Sequence, residues 1–497
     1  MRSLVLLALL GGEVLAAPAF LDDAPDQDFT HVYGGGWEHF VGGGVAVFDC
    51  DGDLRPDLFF AGGENPATLA RNASAPGGPL RFEAEATELL GVTGAWPLDI
   101  DGDGWIDLAV MRAGANVYLK GGADCTFAPA PWAPPADERW STAFSATWEG
   151  DGFPTLAVGN YVDRTDPDGP FEACDLSFLH RPEGAGYGAP IPLDPSHCPL
   201  SILFSDPLRS GEVMLRLSND RHYYVRGGHE QMWRLTPEPV ELTEADGWRP
   251  HMLWGMGIAS RDLDGDAVAE LMLTSMGDQR MQFNRGGAAW EDAPYALGTA
   301  SQRPYAGGDG RPSTGWHAEF GDVDNDGRDD LFIAKGNVDQ MPVAAMLDPN
   351  NLLMGQPDGS FAEAGLEAGL ATMARSRGAA VVDLNADGLL DIVVVNRRAN
   401  VELHRNVTQG AGQWAAVELH QFGGNTRAVG AFIEVETAAR TRWREVTVGG
   451  GHGGGTAGPA HFGLGREGAA RVRVHWPDGE ASDWQDLPAG EVTILRR

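Results

Sequence analysis

The chain has 497 residues, with 36 Lys and Arg against 71 Asp and Glu, a formal charge of −35 and a pI of about 4.6. Such an acidic balance excludes nucleic acid as a partner, because that recognition needs a basic footprint. With 43% of its residues hydrophobic and 15 Trp, the chain is long and apolar enough for one large domain and a small one.

The N-terminus starts with Arg2, runs through an apolar stretch at 4–10 and leaves by small residues near Ala16. This pattern predicts a cleaved signal peptide over residues 1–19. The run is too short to anchor, and no other reaches 18 apolar residues, so the expectation is an exported protein, periplasmic or extracellular, with no membrane span.

From residue 49 onward one acidic pattern returns five times, with a ligand-type side chain at positions one, three, five and nine. The copies are Asp49, Asp51, Asp53 and Asp57; Asp99, Asp101, Asp103 and Asp107; Asp262, Asp264, Asp266 and Glu270; Asp322, Asp324, Asp326 and Asp330; and Asp383, Asn385, Asp387 and Asp391. Carboxylates so crowded repel one another and raise each other's pKa values. A hard dication relieves the repulsion, and Ca²⁺ takes six to eight oxygens in a flexible shell. The side chains, a water and the position-seven carbonyl (Arg55, Trp105, Val268, Arg328 or Leu389) would supply it, giving about five Ca²⁺ sites. An EF-hand is excluded: its twelfth position falls on Phe60, Val110, Leu273, Ile333 and Val394, none of which is a ligand. Short apolar runs on both sides predict buried strands instead of helices.

Two worn copies occupy the gap between the second and third intact ones. The first keeps Glu149 and Asp151 but has Thr147 and Thr155 at its ends; the second keeps Asp206 and Gly211. Loop starts then fall near 49, 99, 147, 206, 262, 322 and 383, spaced 48 to 61 residues apart. Seven units of several short strands predict an all-β fold, a seven-bladed β-propeller with calcium loops, over residues 20–406. Residues 29–33 are expected to close the ring as the outermost strand of the last blade. Residues 82–91 and 361–370 read as short helical turns ending their units.

Other features of this region are less regular. The insertion 160–174 carries Asp163, Asp166 and Asp168, open to a further cation, a basic partner or a plain acidic loop. Four cysteines fit an oxidising compartment; Cys174 is expected to pair with Cys198, and whether Cys50 pairs with Cys125 is left open. Asn72 and Asn406 lie in sequons that would carry glycan only in a host able to add it.

Beyond Asn406 the pattern changes to alternating apolar and polar residues with glycine-rich turns, predicting a small β-sandwich or barrel over 407–497. His452 and His461 flank a glycine stretch read as flexible; as a pair they would be metal ligands or an acid and base, and otherwise turn and edge histidines.

The repeats resemble FG-GAP/VCBS propeller repeats, as in integrin α chains. The segment 425–479 is similar to the ASPIC/UnbV domain, through Asn425, Gly430, Ala431, the HFGLG block at 461–465 and the WPDG block at 476–479. With the MGIASRDLDGD stretch at 256–266 and Ser218-Asn219-Asp220, the order of parts resembles the cartilage acidic protein family. The resemblance implies an extracellular, calcium-binding, adhesion-like protein with an unknown protein or glycan ligand. Neither a G-x-S-x-G nor an evident Cys–His pair is present, so a non-catalytic binding or scaffold module is expected. The alternative is an exported enzyme acting on a polysaccharide or ester in the propeller funnel.

Overall fold

The computed structural model describes residues 16–497 except 136, 167–171, 221–226, 278, 301–312, 339–345 and 467. The expected signal peptide lies almost wholly outside the described residues, as does Asp168.

Among the described residues up to Asn406, strand pairing gives seven four-stranded antiparallel units, of which the second and third, and the fifth and sixth, also pair with each other. The first strands are Val45–Phe48, Val92–Leu98, Glu138–Thr147, Pro199–Ser205, Gly255–Arg261, Ser313–Gly321 and Ser376–Val382. Each packs beside the first strand of the next unit, and the seventh returns to the first. The chain therefore forms a closed β-propeller. Second strands such as Asp57–Phe60 and Asp391–Asn396 are buried along their whole length, because each is covered by neighbouring units on both faces.

Two local expectations are overturned. The ring is closed by Phe20–Asp22, which pairs with Glu402–Asn406 through Phe20 opposite Asn406, not by residues 29–33. Residues 31–33 still touch the last unit, through isolated bridges of Val32 with Asn400 and Tyr33 with Arg397, but they form no strand there; the chain then crosses to the first unit, and the fully buried Tyr33 donates its hydroxyl hydrogen to the Val41 carbonyl. The supposed helical turns begin as outer strands, Phe82–Ala86 and Phe361–Glu363. In the first, Glu83 and Glu85 face solvent on the edge, as strand alternation requires; in the second, a helical turn follows the strand, with Ala368 N–H donating to the Ala364 carbonyl at 2.9 Å.

The C-terminal part is a second β domain of two sheets. Gln413–His420 lies between Ala460–Gly465 and Val492–Arg496, and Phe432–Glu436 lies between Thr441–Glu445 and Ala469–His475, with Gln485–Pro488 outermost. Val417, Leu419, Ile433, Val435, Phe462 and Val472 from both sheets form one core, as in a sandwich.

The glycine stretch is not a free turn. Residues 448–458 enter the propeller channel and meet its first strands one after another. Gly450 N–H donates to the Ile202 carbonyl and Gly451 N–H to that of Ile258, both at 2.7 Å. His452 N–H donates to His317 Nδ1 at 3.0 Å, and the Gly453 carbonyl accepts from Ala95 N–H at 3.2 Å. Gly455–Ala457 then adds to Val45–Phe48 as a parallel strand. Glycines on both sides permit this approach: a Cβ on Gly44 would collide with the Gly453 carbonyl.

Candidate metal loops

All five intact loops join the first and second strands of their units, and all share one backbone form. Positions four and six are left-handed in each: Gly52 and Leu54, Gly102 and Gly104, Gly265 and Ala267, Asn325 and Gly327, Ala386 and Gly388. Glycine is frequent there because side chains disfavour that conformation.

The carboxylates hold this form by a repeated set of hydrogen bonds. Position one accepts from the N–H of position six (Leu54, Gly104, Ala267, Gly327, Gly388) at 2.8–3.1 Å. Position five accepts from the N–H of position seven (Arg55, Trp105, Val268, Arg328, Leu389) at 2.8–3.0 Å. Position nine opens the second strand and accepts from the N–H of position two at 2.8–2.9 Å. In four loops its other oxygen accepts from the third strand, through Asn72, Gly121, Gly355 and Asn406. The ninth residue is thus a pin between strands as well as a candidate ligand.

Oxygens of positions one, three and nine lie within 4.8 Å of one another in three loops: Asp99, Asp101 and Asp107; Asp262, Asp264 and Glu270; Asp322, Asp324 and Asp330. In the first loop the cluster is Asp49, Asp51 and Asp53, while Asp57 turns toward Cys50 and Cys125, which are joined in a disulfide. The last loop holds Asn385 between Asp383 and Asp387, and its Nδ2 donates to Asp387 Oδ2 at 3.2 Å.

The clusters carry an electrostatic cost. Burial, aided by the neighbouring carboxylates, raises Asp57, Asp262, Asp324 and Asp383 to about 6, Asp107 to about 7 and Glu270 to about 8. Asp322, Asp330 and Asp391 are held well above the usual carboxylate range, chiefly by burial. At position three, Asp101 Oδ1, Asp324 Oδ2 and Asn385 Oδ1 are buried without a hydrogen-bond partner. Unsatisfied acceptors beside crowded carboxylates fit a hard, oxygen-seeking cation. Part of the charge is met from within the chain: Lys120 pairs with Asp101 and Asp103, Arg55 with Asp53, and Arg328 with Asp326.

The worn copies use other means. In unit three Arg181 grips Glu149 with both ends of its guanidinium, at 2.9 and 3.1 Å, and Thr155 donates to the same carboxylate at 2.6 Å. A fixed cation therefore sits on the carboxylate of this loop. In unit four Asp206 caps its own turn through Ser210 and Gly211, and Glu445 of the C-terminal domain accepts from Asp206 N–H and from the Ser205 hydroxyl.

The remaining candidates separate. His452 lies in the channel, edge-on to Trp316 at 5.0 Å. His461 stacks on Trp414 at 5.9 Å and contacts the Gly388 carbonyl. Burial lowers both to about 3, so they are packed neutral rings in different places, not a ligand pair. Asp163 is bound to Thr165, and no metal-capable group among the described residues includes it or Asp166. The sequon asparagines are buried: Asn72 Nδ2 donates to Pro56 and Leu384 carbonyls, and Asn406 Nδ2 to Val323 and Leu390. Each Oδ1 caps the N–H two residues on, at Ser74 and Thr408. The sequon spelling records an Asx turn that ties adjacent units.

Both disulfides form, Cys50–Cys125 and Cys174–Cys198, and no helix among the described residues is long and apolar enough to cross a membrane.

Residues 49–110 match the family model of the FG-GAP-like repeat, and residues 421–497 match that of ASPIC and UnbV. The chain is thus similar to those two families over these segments. No curated protein matches it. Among solved structures it is similar to BBS1N in complex with ARL6DN, at 10% identity over 78% of this chain and 97% of that one, with a TM-score of 0.44. An Agrocybe aegerita lectin specific for non-reducing terminal N-acetylglucosamine matches at 16% identity over 74% and 94%, TM-score 0.40. The extracellular domain of the hybrid two-component system BT4673 from B. thetaiotaomicron matches at 8% over 96% and 59%, TM-score 0.43.

Proposed function

We propose that this protein is an exported, calcium-binding β-propeller that serves as a non-catalytic binding, adhesion or scaffold module, with Ca²⁺ pinning the hairpin between the first two strands of five units. The observation that carries the reading is the unpartnered buried oxygen at position three, found in three of five loops of identical backbone form. The bound ion would stabilise only the folded chain. Division at residues 406 and 407, export behind the 1–19 segment, and the part order of the cartilage acidic protein family belong to the same reading; the two disulfides are compatible with it.

The funnel that an enzyme of this fold would use is filled by residues 448–458, which argues for a role on the outer surfaces. There a protein or glycan would bind.

Asp324→Asn tests the metal role. Asp324 is buried among carboxylates and one of its oxygens has no partner. Replacing it removes a ligand in the presence of Ca²⁺ but removes repulsion in its absence. The melting temperature is expected to fall in Ca²⁺ and to stay level or rise in chelator. An equal loss in both conditions contradicts the reading.

A further inference from the structure

The C-terminal domain rests on the propeller face that carries the candidate metal loops, and it contacts their ligands directly. In the unit-two loop Asp99 Oδ2 accepts from Gly104 N–H at 2.8 Å and from the Thr426 hydroxyl at 2.5 Å. In the unit-six loop the guanidinium of Arg442 lies 3.8 Å from Asp322 Oδ2, and both side chains are buried. The same loop offers its backbone: the Asp324 carbonyl accepts from Gly412 N–H at 2.9 Å, and that of Asn325 from Gly465 N–H at 2.8 Å. Gly463 sits so close to Asp322 that a Cβ there would strike its carboxylate. The unit-one loop differs. Among the described residues its hydrogen bonds, through Asp49, Asp53, Arg55 and Asp57, all stay within the propeller.

We propose, building on the calcium reading above, that Thr426 and Arg442 are positioning residues for the metal loops of units two and six, so that calcium binding there and seating of the C-terminal domain with its channel segment are reciprocally coupled. A loop closed around its ion presents Asp99 and Asp322 where Thr426 and Arg442 reach them. Without the ion the crowded carboxylates repel, the loop relaxes and the contacts weaken. Linkage requires the converse: whatever seats the domain tightens calcium by the same factor.

The test uses the full mature chain. Calcium is titrated calorimetrically, and hydrogen exchange is followed over residues 448–458 in Ca²⁺ and in chelator. Chelation is expected to speed exchange in that segment by about tenfold or more, within the usual range of coupling between sites. Thr426→Val is expected to weaken calcium binding at one site by about tenfold, with Thr426→Ser restoring it, while Arg442→Gln, which also removes a cation that competes for Asp322, is expected to change affinity at its site and to speed exchange at 448–458 in saturating Ca²⁺. The rescue separates positioning from general damage. Asp51→Asn, in the unit-one loop, is expected to weaken one calcium site while leaving exchange unchanged at 448–451, the part of the segment that meets units three to five. Calcium binding with unaltered exchange, or unaltered affinity in both variants, overturns the coupling and leaves the calcium reading intact. Absence of any calcium heat overturns both.

Discussion

Glu445 shows how far one half-buried carboxyl can bind two parts of a chain together. It comes from the C-terminal domain, yet its two oxygens serve the turn of unit four, one on Asp206 N–H at 2.8 Å and one on the Ser205 hydroxyl at 2.5 Å. Burial raises its pKa to about 7, against the opposing pull of those two donors. Unfolded, the group ionises near its ordinary 4.5. The folded state therefore holds the proton more tightly, and stability falls as pH rises from about 4.5 to about 7. The shift corresponds to on the order of 2 kcal/mol after allowance for partial exposure. Glu445→Gln keeps an acceptor for Asp206 and removes the titration. Its stability in chelator is expected to equal that of the parent at pH 4 and to exceed it at pH 8, as read from denaturant midpoints. A pH profile unchanged by the substitution would place the titrating group elsewhere.

At the scale of elements, the units show which parts of a repeat a sequence displays. The acidic spacing and the apolar runs beside it marked every loop and both inner strands, because loops held by carboxylate hydrogen bonds and buried strands each demand particular residue types. Outer strands were less legible. Phe82–Ala86 and Phe361–Glu363 have few buried positions to betray their period, and Phe20–Asp22 is too short to alternate visibly. Nor could spacing reveal Arg181, which follows the third strand of unit three, Ser177–His180, and reaches Glu149 only through the fold. That unit should not depend on metal. Arg181→Ala is expected to cost about 1 kcal/mol, since the pair is partly exposed, and to cost it equally in Ca²⁺ and in chelator. Thermal melts of the variant in both conditions check this; a loss confined to Ca²⁺ would mean that unit three also holds an ion.

In the whole molecule, the C-terminal domain was readable as a β domain but its position was not. A glycine run has no period and no side-chain chemistry, so 448–458 looked like slack. Its complement was present far away, in the first strands, where Gly44, Gly94, Gly257 and Gly378 leave room for another backbone. Gly44 offers a direct check of the arrangement. Its φ is not in the left-handed region, so an alanine there strains no backbone; the only penalty is the methyl group driven against the Gly453 carbonyl in a closely packed channel. Gly44→Ala is expected to destabilise the full chain by about 1–3 kcal/mol, the usual range for overpacking, and to speed hydrogen exchange across 448–458. Gly150→Ala, where a Cβ meets nothing within 4 Å, is the comparison and is expected to be near neutral. If Gly44→Ala lowered stability while exchange at 448–458 stayed as slow as in the parent, the methyl would be disturbing the inner strands alone, and the C-terminal segment would not be what fills the channel.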